Sequence, residues 1–237
     1  MQRSIQYGTE TIDFDVVYRD RKTMEIQVKP PGKVTAIVPK GTAQDVIYEV
    51  LVGKAGWIKQ KQALFEDVKY PSLPRRLENG ESFMYLGKNY CLQLQMVPEL
   101  AQPLVRLYQG KFAVQTATNN QAALRRAMEK WYRAKAFDKF TERVKYYQRY
   151  FSQEPRQVKI SNPKKRWASC SSQGHLLFNW RCVMAPQSVI DCIVVHEMSH
   201  LIHHNHSPDF WGLVRSIVPD YDKGKEWLRV YGMGMDL

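Results

Sequence analysis

The chain has 237 residues, of which 44% are hydrophobic and 24% charged, and it carries a net charge of +12. That length can bury a substantial core in one large domain or two small ones, and the balance is ordinary for a soluble globular protein. No apolar run approaches the ~20 residues needed to span a bilayer, and the opening MQRSIQYGTETIDFD lacks the apolar stretch of a signal peptide, so no membrane association and a cytoplasmic location are expected.

The first third reads as strands. Ile12, Phe14 and Val16 alternate, as do Met24, Ile26 and Val28, and, after the turn at Pro30–Gly32, Val34, Ala36 and Val38. Thr42, with Asp45 three residues on, predicts a helix N-cap, followed by one helix through Val46, Ile47, Val50, Leu51, Trp57 and Ile58. Residues 70–82 are a loop by their Pro and Gly content. Two hairpins follow, turning at Gly87-Lys88 and Gln109-Gly110. Up to residue 118 the chain reads as a β-rich module with one helix.

The character then changes. Residues 119–150 hold nine Lys/Arg against three Asp/Glu, half of the whole positive excess. Asn119 or Asn120 can cap a long amphipathic helix whose apolar stripe runs Leu124, Ala127, Met128, Trp131, Ala134, Phe137, Phe140, Val144 and Tyr147. Arg125, Arg126, Lys130, Arg133, Lys139 and Arg143 lie between them as the wet face. Such a surface admits weak, non-specific nucleic-acid binding. A short strand near 156–161 and a hairpin over 164–181, turning at Ser172–Gly174, lead to a helix that carries the histidines. Ser207 as N-cap with Pro208 at the first helical position starts another, and a last helix covers roughly Lys223–Val230. The expected class is α+β, with a β-rich module over 1–118 and a compact metal-binding domain over 119–237.

Five of the six histidines fall between Val194 and Trp211, in VVHEMSHLIHHNHSPDFW. His196, Glu197 and His200 form H-E-x-x-H. Residues four apart share a helix face with a rise of about 6 Å, so two imidazoles can converge on one ion while Glu197 stands beside them, placed to hold water. The preceding VIDCIVV is apolar on nearly every side, so the helix is expected to be buried, and its polar groups need partners. His204 lies eight residues, about 12 Å, from His196, too far for metal bonds of about 2 Å. If the helix ends at His204 and Asn205 takes a left-handed cap, the chain reverses and brings His206 back as third ligand, which leaves His203 and His204 as bystanders. The four cysteines, Cys91, Cys170, Cys182 and Cys192, show no C-x-x-C spacing and read as reduced thiols.

With these residues in place the chain resembles the YgjP-like family of zinc-dependent metallopeptidases, a branch of the zincins. The resemblance rests on VPKG at 38–41, WI at 57–58, ENGESFMYLG at 78–87, WYR at 131–133, RWASCSSQG at 166–174, LFNWR at 177–181, the histidine segment and PDY at 219–221. Two positions depart from the family pattern: Ala168 stands where a Gly is usual, and Cys192 where an aromatic residue is usual. The resemblance implies a zincin-like domain behind a β-rich module, one zinc ion per chain on His196, His200 and His206, and Glu197 as catalytic acid/base. It implies a peptide or protein substrate, and the family also carries a competing label as a UTP pyrophosphatase.

The chemistry of the motif suits peptide hydrolysis, and the 164–181 hairpin could lend an edge strand to an extended peptide. Arg166, Trp167, Asn179 and Trp180 are the candidate cleft residues, each of which can equally be structural. The nucleotide alternative would place phosphates on Lys164, Lys165 and Arg166, yet such sites usually use oxygen-held Mg²⁺ and a glycine-rich loop. A further alternative is a zinc-stabilised nucleic-acid-binding module without catalysis.

Overall fold

Alternating apolar residues build the strands of a first compact unit, residues 1–70, which is followed by a second, residues 71–237. The computed structural model describes residues 3–29, 32–66 and 75–237. In the first unit β1 (Arg3–Tyr7), β2 (Glu10–Arg19), β3 (Glu25–Lys29) and β4 (Lys33–Pro39) form one sheet in the order β1-β2-β4-β3. The central pair is parallel and the outer pairs antiparallel. Ile12, Phe14, Val34, Ala36 and Val38 are its buried face, as their alternation predicts. β1 was not legible in advance; it pairs Ile5 with Ile12. The turn expected at 30–32 lies partly outside the described residues.

The single helix expected after Thr42 is two, α1 (Gln44–Gly53) and α2 (Ala55–Glu66). Thr42 does not cap; its hydroxyl donates to the Pro39 carbonyl at 2.8 Å, and Ala43 holds the N-cap position. The break follows Gly53, the poorest helix former short of proline. There the Lys54 N–H is shared among the carbonyls of the last turn.

The second unit opens with β5 (Ser82–Tyr85), β6 (Lys88–Met96), β7 (Leu104–Tyr108) and β8 (Lys111–Thr116), ordered β5-β6-β8-β7. This sheet repeats the connectivity of the first, again with a parallel central pair, although the two sequences show no repeat. Its hairpins turn through Leu86-Gly87 and Gln109-Gly110, all four residues at positive φ, the geometry of type I′ turns. The first turn thus sits one residue earlier than expected. The loop read over 70–82 is described from Arg75 on.

α3 (Gln121–Tyr147) is capped by Asn120, whose side chain accepts from the Ala122 and Ala123 N–H groups at 3.0 and 3.1 Å. Its buried line is Leu124, Met128, Tyr132, Ala136, Phe140, Val144 and Tyr147. Ala134 and Phe137, expected inside, are exposed. Phe112 and Val114 of β8 share one core with this line. The change of character at 118/119 therefore marks the β8–α3 junction, inside the second unit.

The basic face is also less free than expected. Arg125 donates to the Arg75 carbonyl, Arg133 pairs with Glu129 at 2.7 Å, and Arg143 is buried.

A mixed three-stranded sheet follows, built from β9 (Gln157–Ser161), β10 (Ala168–Cys170) and β11 (His175–Asn179). Its order is β10-β11-β9, which leaves β10 on the edge. A buried 3₁₀ segment, Trp180–Met184, then delivers the chain to α4 (Gln187–Ser199), α5 (Pro208–Ile217) and α6 (Tyr221–Tyr231). The architecture is α+β, and none of the described helices is long and apolar enough to cross a membrane.

α4 is the element against which the others are set. The β5–β6 turn donates its Leu86 and Gly87 N–H groups to the Val183 and Met184 carbonyls just before it. A β-carbon at Gly87 would strike Pro186, so the close approach needs glycine there. α6 packs Gly224 directly against Cys192 of α4. α3 is tied to α4 by Arg143, which meets Asp191 with Nε at 2.6 Å and Nη2 at 3.2 Å, both side chains largely buried. Breaking a buried pair strands one charge. Arg143→Ala is therefore expected to lower unfolding stability by about 3 kcal/mol in a denaturant titration, while Arg143→Met with Asp191→Leu recovers most of it.

Candidate metal centre

α4 presents nine buried residues, among them Val194, Val195 and Met198, so its last turn enters the core with His196 and Glu197 on it. It stops earlier than the sequence predicts. Ser199 is the last helical residue and His200 the C-cap, with φ −69°. The chain then tightens through i→i+3 bonds, Leu201 to Met198 at 3.0 Å and Ile202 to Ser199 at 3.2 Å. Among the described non-glycine residues only Leu86 and Gln109 have positive φ, so Asn205 makes no left-handed cap. Its side chain instead accepts from the Ser207 N–H at 3.3 Å, and Ser207 caps α5 by accepting from Phe210. The reversal is real but is made by a tightened helix end and a polar turn.

The reversal brings three imidazoles together. The nearest ligand atoms of His196, His200 and His206 all lie within 4.8 Å of one another, and Nε2 of His196 faces Nε2 of His206 at 3.2 Å. Tetrahedral coordination with metal–nitrogen bonds of 2.0–2.1 Å sets ligand nitrogens about 3.3 Å apart, so this pair already has the spacing of two ligands to one ion. Phe210 supports all three rings, its centroid 5.0, 4.6 and 4.8 Å from those of His196, His200 and His206. Trp211 stacks on His206 at 5.4 Å and 18°.

The outward nitrogens have partners as well. Nδ1 of His196 meets the Tyr221 hydroxyl at 2.9 Å, and Nδ1 of His200 meets the His203 carbonyl at 3.0 Å. Fixing one ring nitrogen leaves the other for an ion. His203 thus contributes through its backbone, and His204 is exposed.

Glu197 is 7% exposed. Burial pushes its carboxyl up to about 7, against the opposing influence of the Cys170 backbone and the nearby Arg166 cation. His196 is pushed down to about 4 by burial and then by the neighbouring His200, His206 and Lys225; His200 is also lowered, chiefly by burial. Both imidazoles are therefore neutral at pH 7, the form that binds a metal.

Beside His196 and Glu197 lies a cavity of about 400 Å³ whose lining includes Arg166, Trp167 and Ala168. Asn179 does not line it. Asn179 is 3% exposed and donates to the Pro163 and Arg166 carbonyls at 3.1 and 3.3 Å, so it holds the segment that carries Arg166. Trp180 is buried beneath, against Tyr132. Cys192 lines the cavity too and is more than a core residue. The sequence reading missed Tyr221 and Phe210. Their signals were the PDY triplet and the apolar residue three past the Ser207 cap.

A family model described as "YgjP-like, metallopeptidase domain" matches residues 22–231. The chain belongs to the YgjP-like metallopeptidase family. Membership in this family implies a metal ion, and the three histidines are a group that could hold it. No curated protein matches the sequence at a significant level. Among solved structures, the metallopeptidase zymogen abylysin of Pyrococcus abyssi is similar over 39% of this chain and 92% of its own, at 19% identity and a TM-score of 0.35.

Two outcomes are expected from this geometry. Tyr221→Phe should loosen divalent-metal binding about ten- to hundred-fold, as loss of a partner to a ligand imidazole does, measured by competition with a chelating dye. The second concerns pH. Between pH 4.5 and 6.5, the ordinary values of the two groups, the unfolded chain binds more protons at His196, so stability falls as the pH is lowered; the folded chain binds more at Glu197, which opposes that fall. Metal-free Glu197→Gln protein should therefore lose melting temperature more steeply from pH 6.5 to 4.5 than metal-free wild type. An equal or shallower slope would contradict the assignment.

Proposed function

We propose that the protein is a zinc-dependent metallopeptidase in which His196, His200 and His206 hold one zinc ion and Glu197 is the general acid/base. The observation that carries this reading is the convergence of three imidazole nitrogens beside a buried carboxyl one residue from the first of them. An all-nitrogen set of three suits zinc and leaves the open position of a hydrolytic site, whereas Mg²⁺ and Ca²⁺ take oxygen ligands. Among the described residues these histidines are the one group of His, Cys, Asp or Glu placed to hold a metal. An oxygen cage for a magnesium nucleotide therefore has no counterpart, and nothing in the donor set favours the UTP pyrophosphatase alternative. Nor does the helix of basic residues favour nucleic acid, since several of its cations are engaged within the chain.

Zinc held there would supply Lewis acidity, polarising a carbonyl and lowering the pKa of water from 15.7 toward about 7. Glu197 accepts the proton of the water that attacks the carbonyl carbon and returns it to the departing amine. A carboxyl near 7 in the free protein is matched to giving and taking a proton at neutral pH.

The edge position of β10 supports a peptide as substrate. Trp167 and Ser171 point their backbone bonds toward β11. By antiparallel alternation Ala168 and Cys170 then turn theirs away from it, and the Cys170 backbone lies near enough to Glu197 to act on its carboxyl. An extended peptide laid along β10 would thus pass the carboxylate and the histidines together.

The test is Glu197→Gln. It should keep zinc and its fold, and lose about two to four orders of magnitude in peptide hydrolysis. In parallel, His206→Ala should lose zinc by elemental analysis while His204→Ala retains it. Undiminished hydrolysis by zinc-loaded Glu197→Gln would end the mechanism.

A further inference from the structure

The cavity beside the metal centre has a chemical character of its own. Its volume is about 400 Å³, and its walls are largely apolar, with Trp167, Ile193 and Leu228 among them. Three cations, Arg166, Lys225 and Arg229, also line it, and Glu197 is the sole acidic residue among the lining. Glu226 engages Arg229 with a contact of 2.6 Å. Arg166 and Lys225 are exposed and have no ion-pair partner among the described residues. Arg166 is close enough to act on Glu197 without pairing with it, and Lys225 acts in the same way on His196. Two unpaired cations therefore line the pocket together with His196 and Glu197.

We infer that this cavity selects peptides carrying a carboxylate on the residue next to the scissile bond, with Arg166 and Lys225 as the specificity-determining pair. The inference rests on the peptidase reading above. The carboxylate can be the free C-terminus of a peptide or the side chain of an Asp or Glu; both present the same charge and the same two acceptor oxygens. A residue with an apolar stem and a single anionic tip satisfies both the walls and the cations. A triphosphate fits less well, because its several charges would enter a largely apolar pocket that offers two unpaired cations. A basic residue next to the scissile bond would meet like charge and be rejected.

The test uses zinc-loaded Glu197→Gln protein, which is expected to bind without turnover, titrated by calorimetry. The probes are acetyl-Ala-Phe-Glu-amide, its neutral isostere acetyl-Ala-Phe-Gln-amide, and acetyl-Ala-Phe-Gln with a free C-terminus. One or both of the acidic probes should bind about ten- to hundred-fold more tightly than the neutral amide, the range for hydrogen bonds to a charged group. Which probe gains identifies the source of the carboxylate. The gain should vanish when Arg166→Gln and Lys225→Gln are combined, and Lys225→Glu should shift preference toward acetyl-Ala-Phe-Lys-amide. Equal binding of acidic and neutral probes would overturn the inference, as would a gain that survives loss of both cations. Inorganic triphosphate binding more tightly than any peptide, with the same dependence on Arg166 and Lys225, would also overturn it.

The same probes given to zinc-loaded wild type separate the two readings. Cleavage without acidic preference leaves the peptidase standing and removes the inference. Acidic preference in binding with no cleavage of any peptide supports the cavity's selectivity and removes the peptidase.

Discussion

Two ionisable side chains sit on the final turn of a helix that is otherwise apolar, and that burial is the constraint on which the site depends. α4 carries Val194, Val195 and Met198 into the core, so His196 and Glu197 are taken out of water with them. Groups buried in this way need partners, and each partner comes from a different element. α6 supplies the Tyr221 hydroxyl to His196, the loop after α4 supplies the His203 carbonyl to His200, and the backbone of β10 at Cys170 acts on Glu197. α5 supplies Phe210, an apolar support for three imidazoles. What remains is the set of inward nitrogens, which lie within 4.8 Å of one another with two of them facing at 3.2 Å.

The same burial sets the electrostatics. The imidazoles of His196 and His200 are held neutral while the Glu197 carboxyl is pushed up to about 7, opposite displacements from a single cause. A divalent cation answers both. It takes the lone pairs of the neutral imidazoles, and its charge favours the carboxylate form of Glu197. The rest of the second unit serves to hold α4 in position. Arg143 anchors it to α3, the β5–β6 turn docks on the segment before it, and Gly224 lets α6 close on Cys192.

Much of this was legible in the residues, because the patterns are local. Period-two alternation located β2, β4 and the hairpins, and Ser207-Pro208 located the start of α5. The H-E-x-x-H spacing and the reach of a helix singled out His206 over His204. What stayed hidden depends on tertiary contact. Arg143 reads as a wet-face cation until Asp191 is known to lie opposite, and Tyr132, outside the apolar stripe read from the sequence, is buried with its hydroxyl donating to the Met84 carbonyl at 2.8 Å. The helix end at Ser199 could not be read from an apolar period that continues through Leu201 and Ile202. Asn179, a candidate for the cleft by sequence, proves to brace the segment bearing Arg166, a distinction that only the hydrogen bonds to Pro163 and Arg166 reveal.

The proposed function requires three imidazole nitrogens, and no thiolate, to hold zinc at the end of α4. Cys170 and Cys192 lie close by, with thiols that burial pushes up to about 11. X-ray absorption at the zinc edge of the metal-loaded protein tests the claim directly, because nitrogen and sulfur ligands differ in distance. Three histidine nitrogens at about 2.0–2.1 Å with a light-atom fourth ligand are expected, and a fit that loses one imidazole in His206→Ala. A sulfur shell at about 2.3 Å, or an unchanged imidazole count in that variant, would contradict it.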